Sequence, residues 1–300
     1  MIILIKHALD QLTLIKKIII IIIMDAQYLF FTQIWTFDII KENYIKYNLQ
    51  IHDVISNQSE NKDTDLVIEM LEWLYDKIKT FQHFAFPVAA KIGNLSIMKW
   101  LFYKGCEFDY ALLRATDNGN IDNITWLLAN GCPRMDGCFS GPAKKGNLEL
   151  MKWLYENDFK PDSGSFSCAA EKGIRENMIW LYQIGCPFDE HAIISIIGFF
   201  GQENLTDSEL DNIKWFLDNG CSTGLACSQL AATRGDLRLL QLLKDHKCRF
   251  NTITFQNAIK SNNIQTVLWL HKNKCPHKKN VITHANTEEM ILCLKQLFIK

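Results

Sequence analysis

Six cysteines, Cys106, Cys132, Cys186, Cys221, Cys248 and Cys275, share one position in a recurring pattern, which raises metal binding and disulfide formation as their chemistry. Geometry argues against both. Equivalent positions on packed helices lie about 8 to 10 Å apart, whereas a disulfide needs Cα atoms within about 7 Å and zinc needs four ligands around one point. The pattern predicts a ladder of small buried thiols, each acting as a compact hydrophobe. The segment from His271 to Lys279 holds two histidines and Cys275. Without a partner pair of ligands it reads as a solvated basic turn rather than a zinc site. Seven tryptophans could stack nucleic-acid bases, but they sit among Leu, Met and Ile at helical spacing and are expected in the core. No Gly-x-Ser-x-Gly elbow, phosphate loop or His-Glu-x-x-His is present. No catalytic residue, cofactor site or metal site is therefore assigned, and no small-molecule substrate is implied.

The elements that would position these residues follow from the spacing. Trp73, Trp100, Trp126, Trp153, Trp180, Trp215 and Trp269 are separated by 26 or 27 residues, except for one interval of 35 and one of 54 in which Leu242 fills the missing place. Seven residues earlier stand Gly93, Gly119, Gly146, Gly173 and Gly235, with departures to Ser208 and Asn262; five residues later stand Gly105, Gly131, Gly185 and Gly220. Each unit reads as two short antiparallel helices. Small residues such as Ala89-Ala90 and Ala231-Ala232 end the first and let its neighbours approach. The glycine stops it, and Asn94, Asn120, Asn147, Asp236 or Asn263 caps the second helix. Leu148, Met151, Leu154 and Tyr155 give that helix an apolar face, and the later glycine provides a left-handed cap. The 35-residue interval places an inserted loop near Gly201 to Asp207, and Gln296, standing where tryptophan would, suits a terminal helix.

This pattern resembles the ankyrin repeat, in the shortened form abundant in proteins of giant DNA viruses and amoebae. The resemblance covers about residues 65 to 295 and is most specific over Ala143-Lys144-Lys145-Gly146-Asn147-Leu148-Glu149-Leu150-Met151-Lys152-Trp153-Leu154. It implies an all-α, ankyrin-like helical repeat solenoid whose inter-repeat β-hairpins are shortened or lost, since Gly105 to Asp109 leads directly into the next helix. It also implies a protein-protein interaction module or adaptor rather than an enzyme. In the family the two residues before the turn glycine are exposed and variable. The corresponding partner-binding candidates are Lys91 and Ile92, Asp117 and Asn118, Lys144 and Lys145, Glu171 and Lys172, Thr233 and Arg234, and Lys260 and Ser261.

Composition bounds these readings. Hydrophobic residues make up 48% of the 300, enough for a packed fold. The net charge of -1 disfavours a dedicated nucleic-acid binder. From Arg234 onward, however, 12 Lys and Arg stand against 4 Asp and Glu, a local +8 that leaves -9 for residues 1–233. That end would attract an acidic protein partner, or serve a nucleic-acid-binding repeat as the alternative. Ten cysteines are too sparse for a secreted disulfide scaffold, so an intracellular protein is expected, in the host-cell cytoplasm if viral. The sequons at Asn57, Asn94, Asn123 and Asn204 then read as chance matches. The run Ile18 to Ile23 is too short to span a membrane. Residues 1–24 read as an N-terminal extension ahead of Met24-Asp25, residues 25–64 as an N-terminal cap and polar linker, and residues 65–300 as the repeat array.

Overall fold

The computed structural model describes residues 38, 40, 41, 50–57, 64–81, 84–198, 204–278 and 280–298. The N-terminal extension and nearly all of the expected cap before residue 50 lie outside the described residues. Every regular element among the described residues is helical, and none of those helices is long and apolar enough to cross a membrane. The chain divides into two compact units, Met1–Arg134 and Met135–Lys300.

The first unit contains α1 (Ile51–Asn57), α2 (Thr64–Ile78), α3 (Ala85–Ile92), α4 (Leu95–Tyr103), α5 (Ala111–Asn118) and α6 (Ile121–Ala129). Helices pair as α1/α2, α3/α4 and α5/α6, with α1 packed on α3 and α3 on α5. The pairing thus reaches back to Ile51, and the polar stretch Asn57 to Asp65 begins and ends inside helices.

The second unit contains α7 (Ser140–Lys145), α8 (Leu148–Glu156), α9 (Ser163–Glu171), α10 (Arg175–Gln183), α11 (Glu190–Ile197), α12 (Asp207–Asp218), α13 (Leu225–Arg234), α14 (Leu237–Asp245), α15 (Thr252–Lys260), α16 (Ile264–Lys272), a 3-10 turn (Val281–His284) and α17 (Glu288–Phe298). Odd helices α7 to α15 pack in succession, each also against its own second helix. Close approach is possible because the residues at the contact are small: Ala143, Ala169, Ala170, Ala231, Ala232 and Ala258 are fully buried.

Helix ends follow the expected chemistry. Asn94, Asn120, Asn147, Asp236 and Asn263 each accept a backbone N–H from the first turn of the helix they precede. Second helices close with paired bonds. Gly105 N–H donates to the Phe102 carbonyl and Cys106 N–H to that of Leu101, and the same arrangement recurs at Cys186, Cys221, Cys248 and Cys275. This is the Schellman closure, and it puts the cysteine column at the residue after the left-handed one, where a small apolar side chain folds back on the helix. Phe159 holds that place after α8.

Three expectations are corrected. Tryptophan is not the deep core: Trp100 is buried, but Trp73, Trp126, Trp153, Trp180, Trp215 and Trp269 are half-buried, and Tyr155 is exposed. The residue that follows the tryptophan, Leu74, Leu101, Leu127, Leu154, Leu181, Phe216 or Leu270, is the buried one. A 100° turn separates adjacent helical residues, so one faces the centre and the other the seam between second helices. The insertion is only partly a loop. Residues 201–203 lie outside the described residues, but Leu205 is buried, Thr206 caps α12, and that helix has 12 residues where its counterparts have nine. Ser208 accordingly sits inside α12, and the turn glycine of this unit is Gly198, which caps α11.

Candidate protein-binding face

Gly93, Gly119, Gly146 and Gly235 end first helices in the left-handed conformation, so the two residues before each sit in the last helical turn beside an abrupt change of direction. Lys91, Lys144, Lys145, Glu171, Lys172, Thr233, Lys260 and Ser261 are exposed there, while Ile92, Asp117, Asn118 and Arg234 are half-buried. The structure divides these candidates by what they already hold. Lys144 bonds Glu171 at 2.8 Å, and Lys172 lies 3.9 Å from the same carboxylate. Hydrogen bonding to Glu171 raises the Lys144 pKa above its ordinary value. Asp117 pairs with Arg114 at 3.2 Å. Asn118 donates to the carbonyls of Lys91 and Ile92, its amide resting against Gly93 where a Cβ would stand. Arg234 donates to the Ile197 carbonyl, and Ser261 donates to Ala232 at 3.4 Å. Asn118, Arg234 and Ser261 therefore join neighbouring helix pairs through backbone carbonyls, and Lys144 and Glu171 do so through an exposed ion pair, while Lys91 and Lys260 are exposed.

A second set of residues holding the turns escapes sequence reasoning. Asn123 is 1% exposed and donates to the Gly93 carbonyl at 2.7 Å. In the second unit Asn177 donates to Ala143 at 3.3 Å, Asn212 to Gly173 at 3.4 Å, and Thr266 to Gly235 at 3.4 Å. All stand three residues before the tryptophan position, the third residue of a nine-residue second helix and the sixth of α12, where other pairs have Ile97, Leu150 and Leu239. Polar residues in an otherwise apolar column were the available signal. The burial of Asn123 and the capping role of Asn94 leave neither side chain open to a glycan.

The cysteine column is a ladder of donors. In the second unit Cys186 donates to the Asp162 carbonyl at 3.2 Å, Cys221 to Asp189 at 3.2 Å and Cys275 to Asn251 at 3.4 Å, each acceptor being the cap residue of a preceding first helix. All ten cysteines are free thiols. Burial pushes Cys106, Cys186, Cys221, Cys227 and Cys275 up to about 12, so they remain protonated and poorly nucleophilic at neutral pH. The His271 and His277 rings lie 6.3 Å apart and both pack on Phe298.

Tryptophans form the seam between second helices. Trp100 stands edge-on to Tyr75, Trp126 to Phe102, Trp180 to Tyr155 and Trp215 to Tyr182, with centroids 5.6 to 6.1 Å apart. Lys244 takes the corresponding place under Trp269, its Nζ 6.0 Å from the ring centroid.

Beyond the second helices, the left-handed position held by Gly105, Gly131, Gly185 and Gly220 is held by Asp158, Lys247 and Lys274, with φ of 64°, 61° and 56°. A side chain there costs about 1 to 2 kcal/mol of backbone energy. Glu190 supplies a different closure: its carboxylate accepts from Gly224 N–H at 2.6 Å, capping α13 from the preceding helix pair, and a Cβ on Gly224 would collide with it. In comparison with known proteins, no family model and no curated protein matches this chain.

Proposed function

We propose that the chain is a non-catalytic protein-binding adaptor, each unit a stretch of ankyrin-like helical solenoid that engages a protein partner at the ends of its first helices. One contrast carries this reading. Apart from α1 and α11, the first helices bury mostly small residues at one register, Ala89-Ala90 and Ala115-Thr116 in one unit, Pro142-Ala143, Ala169-Ala170, Ala231-Ala232 and Ala258-Ile259 in the other. The next two positions differ in charge and shape from helix to helix: Lys91-Ile92, Asp117-Asn118, Lys144-Lys145, Glu171-Lys172, Thr233-Arg234 and Lys260-Ser261. A scaffold that keeps one register buried while the side chains beside it vary suits recognition of an extended partner surface. A reaction centre would instead need a fixed constellation around one reacting atom.

Immobilised full-length chain should capture a protein partner whose crosslinks, mapped by mass spectrometry, fall on peptides bearing Lys91, Lys144, Lys145 and Lys260. The variant Lys144→Glu/Lys145→Glu/Lys260→Glu should lose that capture while keeping its helical circular dichroism. Undiminished capture with crosslinks confined to second helices overturns the reading. The basic C-terminal stretch favours nucleic-acid binding as the alternative, and steeply salt-dependent binding to RNA or DNA in place of protein would establish it.

A further inference from the structure

Between Asp245 and Glu288 the chain has no acidic residue and seven lysines and arginines. Five of these are exposed on two turns: Lys247 and Arg249 after α14, and Lys272, Lys274 and Lys278 at and beyond the end of α16. The turns are held side by side. Lys244 near the end of α14 donates to Asn273, the cap residue that closes α16, and Phe250 packs 6.0 Å from Trp269. Some cations elsewhere in this unit are answered within the chain, Lys144 and Lys172 by Glu171, Lys214 by Asp218, and Arg238 by Asp236 and Asp207. None of the five has a carboxylate within ion-pair distance among the described residues. The neighbouring Asp245 accepts from Gln241 at 2.7 Å, and Asp218 is held by Lys214 and His246.

The backbone makes the concentration of charge more notable. Lys247 and Lys274 both occupy the left-handed position that four glycines occupy elsewhere, and both are exposed.

We propose that these paired turns bind an extended acidic segment of a protein partner. The inference rests on the protein-binding reading above and adds a docking site separate from the first-helix ends. Neighbouring helices stand about 8 to 10 Å apart, close to the separation of about 9 Å between carboxylates three residues apart on one face of an extended segment in the polyproline II conformation. A single-stranded nucleic acid would also need rings on which its bases could stack. On these turns the rings are engaged among themselves, Phe250 with Trp269 and His277 with Phe298 at 4.4 Å.

Fluorescence anisotropy of the full chain with dye-labelled octaglutamate at low ionic strength tests this directly, with dye-labelled octathymidylate as the comparison. The variant Lys247→Gly/Lys274→Gly removes two charges at positions where glycine relieves the backbone, so the fold survives. Its affinity for octaglutamate should fall about five- to tenfold, with a flatter salt dependence, whereas Lys152→Gln/Lys160→Gln, at exposed lysines outside both sites, should stay within about twofold of wild type. Unchanged binding by the glycine variant, no octaglutamate binding by wild type, or tighter binding of octathymidylate would overturn the proposal. If octaglutamate fails while charge reversal at the first-helix ends still abolishes partner capture, only this site falls. If octaglutamate binds as expected but no partner is captured at the first-helix ends, the earlier reading falls instead.

Discussion

The thiol of Cys186 is closed off twice over, by burial and by its bond to the Asp162 carbonyl. With the ladder thiols pushed up to about 12 by desolvation, as for Cys186, Cys221 and Cys275, disulfide-exchange reagents should label them slowly in native protein and rapidly in urea. Fast native labelling of Cys186 or Cys275, read by mass spectrometry, would contradict the ladder. Spacing alone revealed this column because Schellman closure favours an apolar residue at one register, filled here by cysteine and, after α8, by Phe159. It did not reveal the true burial of tryptophan, because periodicity locates a face only to within a helical step. The half-buried Trp153 should cost about 1 to 3 kcal/mol on truncation to alanine, less than the roughly 2 to 5 expected for fully buried Leu154→Ala. Urea melts of the two variants give the comparison. At Lys247, glycine should raise stability by about 0.5 to 1 kcal/mol, the relief of left-handed strain less the extra chain entropy that glycine loses. A lower melting temperature for Lys247→Gly would show that the lysine stem packs in a way that offsets its backbone.

At the scale of the element, α12 and its approach depend on one buried carboxylate. Asp236 is 2% exposed, caps α14, accepts from Leu205 N–H at 3.1 Å and pairs with Arg238, which also reaches Asp207 at 2.8 Å. The insertion is thereby tied to the following pair of helices. Burial raises the Asp236 pKa, but the Arg238 guanidinium and the amides of Leu205, Leu239 and Arg238 outweigh it, and the net value lies below the ordinary 3.8. A depressed carboxylate contributes stability that is fully present above its unfolded pKa and is lost as pH falls through the folded one. Asp236→Asn should therefore destabilise the protein at pH 6 by about 1 to 3 kcal/mol, with the difference from wild type shrinking below pH 4. His246 has the opposite sign: its bond to the Leu242 carbonyl, and then its contact with Asp218 at 3.0 Å, raise it above 6.5. Its contribution is complete below pH 6.5 and disappears as pH rises through the folded value. His246→Gln should consequently be less stable than wild type at pH 6 and equal to it at pH 9 in parallel melts. The Asp236 clamp was not legible in the sequence beyond its capping role, because its partner at Leu205 is a backbone amide that any residue carries.

Across the whole molecule, the helix pairs and their caps could be read in advance because they repeat, while the features that occur once, such as the Glu190 closure of α13, could not. The same contrast separates the candidate lysines from Arg234 and Asn118, whose register is shared but whose side chains are committed to neighbouring carbonyls. Charge carries a further asymmetry, with the cations concentrated in the last 67 residues. Ladder and turn bonds join residues only 24 to 39 positions apart. Contacts of such short reach make the search for native pairings local, so each unit should fold quickly for its length. They also bear on ancestry: an in-frame gain or loss of one period would preserve the register that sets Cys186, Cys221 and Cys275 against cap carbonyls. A lineage of such chains can thus change its number of helix pairs in one genetic step, while the side chains at the helix ends change one at a time.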